Sequence, residues 1–163
     1  MTCRLCKKER KLKNSHIIPE FLYSALYDEK HRFHEISTDQ DTKSTLVQKG
    51  IREYLLCGDC EQKLSRCETY SRQVLIAGVE ITVRNEGGLI HLEGIDYKKF
   101  KIFALSILWR ASVSSLKVFE HVELGAHEEI LRNMVLNGDP GSGSDYPFIM
   151  SPITHEGKLQ KDL

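Results

Sequence analysis

Two Cys-x-x-Cys pairs constrain the fold of this 163-residue chain more than any other feature. The first pair is Cys3 and Cys6, and the second is Cys57 and Cys60. A Cys-x-x-Cys turn directs two thiolates at one tetrahedral ion, and four sulfurs at about 2.3 Å complete a closed structural zinc site. Gly58 suits the second turn because glycine accepts backbone angles that other residues avoid. The spacing therefore predicts a four-thiolate Zn²⁺ site; a redox-active dithiol and chance spacing are the alternatives.

The two pairs lie far apart in the sequence. Residues 7–56 separate them, a wider gap than the roughly 12 to 20 residues typical of zinc fingers and ribbons. A metal bound by both pairs would hold the two ends of this segment, residues 7–56, together. We call the segment the excursion, and it is a candidate to carry the function. The fifth cysteine, Cys67, follows on a predicted helix, where we expect a buried structural thiol.

Length and composition limit the class of protein. The chain is long enough for about one domain, and its 23 basic and 23 acidic side chains cancel, so net charge excludes neither nucleic acid nor a membrane as a partner. The most apolar stretch, 103–109, is shorter than the roughly 18 to 20 residues that cross a bilayer. Cys3 and Cys6 stand where a secretory signal would carry its apolar region. The sequence therefore predicts a cytoplasmic protein with no membrane segment, whose cysteines are thiols or metal ligands.

Apolar periodicity and turn residues predict an α+β protein. In the first part we expect a strand over 12–18, which Pro19 ends because proline lacks a backbone donor. A helix over 20–27 and a polar segment over 28–49, with a loop at 37–41, are expected to follow.

The second part is predicted to be mainly helical. We expect a helix over 61–77, a hairpin formed by 81–84 and 89–92, a helix over 97–119 with Asp96 as its N-cap, and a helix over 126–136. The 97–119 helix is apolar on nearly every face, so it is the expected buried spine with Trp109 in the core, and 97–136 is a candidate interface with a second copy or a partner protein. We expect a zinc-bound N-terminal region, 1–77, packed on a helical region, 78–163, within one cooperative domain.

Between the cysteine pairs lies the motif Ser15-His16-Ile17-Ile18-Pro19. Together with the flanking pairs, it resembles the HNH (ββα-metal, His-Me finger) endonucleases, many of which carry a Cys-x-x-Cys pair before a His-Ile-Ile-Pro strand and a second pair at the start of a helix. The order of turn, strand, turn and helix is also that of a treble-clef zinc finger, on which such nucleases are often built. This resemblance covers residues 3–68. A second one, to bacterial open reading frames that add a Leu-Ser-Ile-Leu-Trp-Arg helix (105–110), spans nearly the whole chain and implies no activity.

The first resemblance implies a metal-dependent nuclease that hydrolyses phosphodiester bonds, in a setting such as defence against foreign DNA. Hydrolysis needs a base that deprotonates water near neutral pH and a divalent cation that absorbs charge on the leaving oxygen. His16 falls on the general-base position, and Glu61, directly after Cys60, falls where the family carries a metal-binding His or Asn. Zinc would then be structural, and Mg²⁺ or Mn²⁺ would be the catalytic ion.

Two positions depart from the pattern of the family. Ser15 stands where an aspartate ligand commonly precedes the histidine, and Arg52 aligns with the middle asparagine of the motif. Serine is a poor metal ligand and arginine is none, so the metal would need replacement ligands. The candidates are Glu61, Glu53, His34 and Glu20. The alternative function is a non-catalytic treble-clef module that binds nucleic acid or a partner protein.

Charge is unevenly distributed along the chain. Residues 1–14 carry six cationic side chains against Glu9, a net charge of +5, which leaves −5 on the remainder. The predicted nucleic-acid contacts are Lys7, Lys8, Lys11 and Lys13. They would bind phosphates through salt-sensitive electrostatic contacts. The alternative is that these lysines are only solvated side chains of a lysine-rich turn.

Each remaining candidate also has a purely structural interpretation. His16 could be a half-buried histidine bonded to a backbone carbonyl, and Glu61 an acidic residue favoured in the first helical turn by the helix dipole. His31 and His34 are expected on the surface. Arg110, within an apolar helix, must find a carboxylate, solvent or a phosphate, and we expect a structural ion pair.

Overall fold

The computed structural model describes residues 1–35, 45–48, 50–76, 78–148, 150, 154–155 and 158–159. These residues form three α-helices and four two-stranded antiparallel sheets. The helices are α1 (Gly58–Ile76), α2 (Tyr97–Val113) and α3 (His127–Asn137). The strands are β1 (Leu12–His16), β2 (Arg32–Glu35), β3 (Thr45–Gln48), β4 (Arg52–Cys57), β5 (Thr82–Glu86), β6 (Leu89–Glu93), β7 (Thr154–His155) and β8 (Lys158–Leu159). The mixture of helix and sheet confirms the predicted α+β class.

The pairing of β1 with β4 brings the two ends of the long excursion together. Their antiparallel register runs from Leu12 opposite Cys57 to His16 opposite Arg52. The strand predicted over 12–18 is confirmed for its first five residues. This pairing places the segment that carries the first cysteine pair beside the strand that leads to the second.

α1 follows β4 without an intervening loop. The helix begins at Gly58, three residues before the predicted start at 61, so Cys57 ends the strand and Cys60 lies in the first helical turn. Leu64 and Val74 are buried on its inner face. Both thiols of the second pair therefore lie at one junction between a strand and a helix, which leaves little freedom in where they point.

α2 is the buried spine of the fold and packs against both α1 and α3. It begins as predicted, because the carboxylate of Asp96 accepts a hydrogen bond from the Lys99 N–H at 3.1 Å. Trp109 is fully buried in the core, as expected. Within the described ranges, no helix combines the length and the apolar character that a membrane crossing requires.

The predicted extension of α2 to residue 119 is wrong. The helix ends at Val113, and Lys117–Phe119 forms a separate 3₁₀ turn. The cause is a competing interaction: the hydroxyls of Ser114 and Ser115 donate to the Glu53 carboxylate at 2.7 and 2.6 Å. Serine side chains that bond elsewhere offer the backbone an alternative to helix continuation.

Two further elements agree with their predictions. α3 ends at Gly138, whose φ of 66° gives the left-handed C-cap that glycine favours. The predicted hairpin is formed by β5 and β6, and Gly87 and Gly88 make its turn with φ values of 59° and 81°. Every residue of these two strands is exposed, so the hairpin projects from the body of the protein.

The excursion between β1 and β4 departs most from the prediction. Instead of a helix over 20–27, it forms two 3₁₀ turns, Glu20–Leu22 and Ser24–Leu26. Tyr23 lies between them with a φ of −131° that no helix would accommodate. Its ring packs against those of Tyr27 and Phe33, so tertiary packing of aromatic rings overrides the helical spacing.

The polar part of the excursion contains a hairpin that the sequence did not predict. β2 pairs with β3 from Arg32 opposite Gln48 to Glu35 opposite Thr45. The predicted loop at 37–41 lies outside the described residues. Gly50 follows with a φ of 74°, and a Cβ atom there would lie 2.1 Å from the hydroxyl of Tyr23. Only glycine permits this close approach.

Candidate metal centre and the His16 site

The four paired cysteines converge on one point. The Sγ atoms of Cys3, Cys6, Cys57 and Cys60 all lie within 4.8 Å of one another. The sulfurs of Cys6 and Cys57 are 3.9 Å apart, close to the edge of about 3.8 Å for a tetrahedron with sulfurs 2.3 Å from a zinc ion. Three of the four residues are buried and Cys6 is half-buried. The cysteines therefore lie close enough to hold a metal ion.

Backbone hydrogen bonds hold the first cysteine turn against β4. The Lys7 N–H donates to the Cys3 carbonyl at 2.9 Å, which closes the turn, and the Arg4 N–H donates to the Leu55 carbonyl at 3.1 Å. The Cys57 N–H donates to the sulfur of Cys3 at 3.3 Å. An N–H group that points at a sulfur stabilises the thiolate form, which is the form that binds a metal.

The pKa values of the thiols indicate that the cluster needs a cation to be fully ionised. Burial opposes ionisation of Cys3, but N–H donors from Cys6, Cys57 and Leu5 prevail and lower its pKa to about 7. Burial raises the pKa of Cys57 and of Cys60. Four thiolates can therefore coexist here only with a cation between them, and an all-sulfur tetrahedral donor set is the one that zinc occupies in structural sites.

No second cluster of this kind exists in the described part of the chain: no other group of three or more His, Cys, Asp or Glu side chains converges closely enough to hold an ion. Protein ligands for Mg²⁺ or Mn²⁺ are therefore not identified by the geometry. Cys67 is not part of the four-cysteine cluster and is a half-buried thiol on α1.

His16 is the last residue of β1, directly opposite Arg52. The two side chains bond to each other, because Nε of Arg52 donates to Nε2 of His16 at 2.8 Å. This bond places the proton of the neutral ring on Nδ1. Burial and the positive charge of Arg52 lower the pKa of His16, while Glu20 and Glu68 act in the opposite direction. The imidazole is therefore neutral near pH 7, with its one lone pair already engaged.

Arg110 forms the structural ion pair that the sequence predicts. Its side chain is almost fully buried, and its Nη1 lies 2.8 Å from Glu68 Oε1 and donates to the His16 carbonyl at 2.9 Å. Its Nε donates to the Ser106 carbonyl at 3.2 Å. A helix of the C-terminal region thus holds the backbone of His16 in place and links it to α1.

Two carboxylates act on His16: Glu20, which the sequence offered as a candidate metal ligand, and Glu68 of α1, which it did not. Glu61 lies in the first turn of that helix, where its Oε1 is buried without a hydrogen-bond partner among the described residues. Glu68 lies seven residues further along, about 10 Å at 1.5 Å per residue. The sequence interpretation missed Glu68 because its connection to His16 runs through Arg110, a residue distant in the chain.

The remaining residues of the motif and the other candidate metal ligands make hydrogen bonds or ring contacts of their own. Ser15 is buried and donates to the Lys13 carbonyl at 3.3 Å. The carboxylate of Glu53 accepts hydrogen bonds from serines that follow α2, and that of Glu20 accepts one from the Tyr27 hydroxyl at 2.9 Å. The side chain of His34 lies outside the described part. His31 is exposed, as expected, with its ring stacked on Tyr27.

The four lysines predicted to contact nucleic acid are all exposed. They surround the first cysteine turn and the strand that follows it: Lys7, Lys8, Lys11 and Lys13. None forms an ion pair with a carboxylate within the described ranges. Their neighbour Arg10 does, with Asp59 at 2.8 Å.

Comparisons of this chain with protein-family models, with curated proteins and with solved structures find no match.

The lowered pKa of His16 predicts how stability depends on pH. The unfolded chain has an imidazole pKa of about 6.5, so below that value it binds more protons than the folded chain does. We expect the contribution of His16 to be complete above about pH 6.5 and to be lost as the pH falls from there to the folded-state pKa. Urea unfolding at pH 7.5 and 5.0 should show a larger loss for the wild type than for His16→Gln, which can accept the Arg52 bond and does not titrate. Equal losses in the two proteins would contradict this assignment.

Proposed function

We propose that this chain is a metal-stabilised module that binds nucleic acid, with Zn²⁺ in the four-cysteine site as a structural ion. The observation that carries the proposal is the set of exposed lysines on and beside the cysteine turn, none of which forms an ion pair within the described part of the chain. Cations in this position attract a phosphate backbone without reading its sequence. The metal would hold that turn rigidly against β4, so the charges would be presented in a fixed arrangement.

A nuclease of the HNH kind is the second candidate. It is favoured by the order of β1, β4 and α1, an antiparallel pair followed directly by a helix, with His16 at the end of the first strand. In that function His16 would deprotonate water and a Mg²⁺ or Mn²⁺ ion would stabilise the leaving oxygen. It ranks second because the acceptor nitrogen of His16 is occupied by Arg52, so the ring must leave that bond before it can take a proton.

Binding is tested with labelled single-stranded and duplex oligonucleotides across a range of salt concentrations. We expect the affinity to fall as the salt concentration rises. When all four lysines are changed to glutamine, the slope of log K against log[salt] on duplex DNA should become less steep by as much as about 3 to 4. Lys98→Gln and Arg84→Gln remove exposed cations from α2 and β5 and serve as controls. Salt-independent binding, or none at low salt, would remove nucleic acid as the ligand.

Catalysis is tested by nicking of supercoiled plasmid with Mg²⁺ or Mn²⁺. The first proposal predicts no nicking by the wild type, by His16→Ala or by Arg52→Ala. Metal-dependent nicking by the wild type that His16→Ala abolishes would replace it with the nuclease proposal. In that case Arg52→Ala, which frees Nε2 of His16, should retain the activity.

A further inference from the structure

One face of the β1–β4 pair is open and polar. Side chains of directly opposed residues lie on the same face of a sheet, and that face recurs every second residue. The His16–Arg52 pair and the Asn14–Tyr54 pair are two residues apart on β4, so they share this face. The opposite face carries the buried Ser15 and its partner Glu53, which accepts hydrogen bonds from the serines that follow α2.

Tyr54 is unusual on this face because its side chain is 61% exposed. The next residues of the strand, Leu55 and Leu56, are at most 1% exposed. Tyr54 therefore contributes nothing to the core that its neighbours form. An aromatic ring in solvent beside a row of polar groups is available for stacking.

A cleft of about 380 Å³ adjoins Tyr54, between the first cysteine turn and β4. Arg4 and Lys7 line one side, and Glu53 lines the other. Neither cation forms an ion pair with a carboxylate of the described residues. The Glu53 carboxylate accepts hydrogen bonds from Ser114 and Ser115, so it is held towards the end of α2, and the positive charge of Arg4 acts on it only from beyond ion-pair distance.

An exposed aromatic ring beside two cations that form no ion pair with the described carboxylates matches the chemistry of one unstacked nucleotide. The ring offers a stacking surface to a base, and the cations offer contacts to its phosphate. A base within a duplex is already stacked and paired, and it cannot reach the ring. We propose that the cleft formed by Tyr54, Arg4 and Lys7 is a nucleotide site that gives the module a preference for single-stranded nucleic acid. This inference rests on the proposed function and specifies its ligand.

The test compares a labelled twelve-nucleotide thymidine strand with a duplex of the same length, using fluorescence anisotropy and zinc-loaded protein. Tyr54→Ala should weaken single-strand binding about 5- to 150-fold and leave duplex binding nearly unchanged. Tyr54→Phe should bind as the wild type does, because the ring is retained. Tyr54→Leu keeps an apolar side chain of similar volume and should behave like the alanine variant, which separates stacking from simple contact. Since Tyr54 is exposed, all three variants should keep the melting temperature of the wild type.

The two cations supply the second readout. Arg4→Gln and Lys7→Gln should each reduce the salt slope for the single strand by about 0.7, whereas Lys98→Gln should not change it. Lys98 lies fifteen residues before the end of α2 at Val113, about 22 Å along the helix.

Failure of this inference and failure of the proposed function give different results. If single strands bind and Tyr54→Ala binds them as the wild type does, the nucleotide site is wrong and the nucleic-acid module stands. If Tyr54→Leu binds as tightly as the wild type while Tyr54→Ala does not, the contact is apolar and the stacking assignment is overturned. If neither oligonucleotide binds the wild type at low salt, both proposals fall.

Discussion

Removal of the metal is expected to unfold the region that the two cysteine pairs join. The sulfurs come from a turn at the N-terminus and from the β4–α1 junction, so an ion bound by all four would connect segments that are distant in sequence. Structural zinc contributes roughly 10 to 16 kcal/mol in zinc-finger peptides at pH 7, as much as the whole stability of an ordinary domain, about 5 to 15 kcal/mol. Loss of even about 5 kcal/mol lowers the melting temperature of a chain of this length by roughly 10 to 20 °C.

The measurement is thermal unfolding before and after chelation, together with elemental analysis of the purified protein. We expect one zinc ion per chain and a large fall in the melting temperature, or loss of the cooperative unfolding transition, on chelation. The fifth cysteine provides a matched control: Cys60→Ser removes a ligand from the cluster, whereas Cys67→Ser removes a half-buried thiol outside it. The prediction is refuted if the two variants hold the same amount of metal, or if the chelator leaves the transition unchanged.

The second large effect is expected from Arg110→Ala. Arg110 is only 2% exposed, and its guanidinium contacts both the Glu68 carboxylate and the His16 carbonyl. Removal of one partner of a buried ion pair leaves the other charge uncompensated and costs about 3 to 5 kcal/mol. Urea unfolding of Arg110→Ala should therefore show a large loss in the free energy of unfolding.

A double mutant that removes both charges separates the contribution of the ion pair to stability from that of the hydrogen bond to the His16 carbonyl. Glu68→Leu combined with Arg110→Met replaces the pair by apolar side chains, and it should recover a large part of the loss seen in Arg110→Ala. Arg84→Ala removes an exposed ion pair with Glu93 and should cost less than about 1 kcal/mol. A cost for Arg110→Ala as small as that of this control would show that the buried pair does not stabilise the fold.

Local signals in the sequence predict a large part of this fold. The cysteine pairs predict the cluster, and the apolar spacing predicts the two longest helices. Each of these signals acts over a few residues, so it can be interpreted from the sequence without knowledge of the tertiary structure. The errors arise where contacts between distant residues decide the structure. α2 stops early because Ser114 and Ser115 bind Glu53, which lies 61 and 62 residues before them in the chain.

The His16 site depends even more on long-range pairing. The motif identifies His16 as a residue of interest, but the partners that decide its chemistry are Arg52 and Arg110, which come from β4 and α2. The register of β1 against β4 is needed to place Arg52 opposite the imidazole. A motif in one segment therefore identifies a candidate residue. Contacts between segments determine whether its ring has a nitrogen free to accept a proton.

The closed base of the excursion has a consequence for how this chain can change. The Ile17 N–H donates to the Ile51 carbonyl, and the Arg32–Gln48 pair closes the chain again further out. The entropy of closing a loop rises only with the logarithm of its length, so doubling the loop costs about 0.6 kcal/mol. Lengthening the chain between residues 35 and 45, beyond this closed base, should therefore cost little free energy of folding.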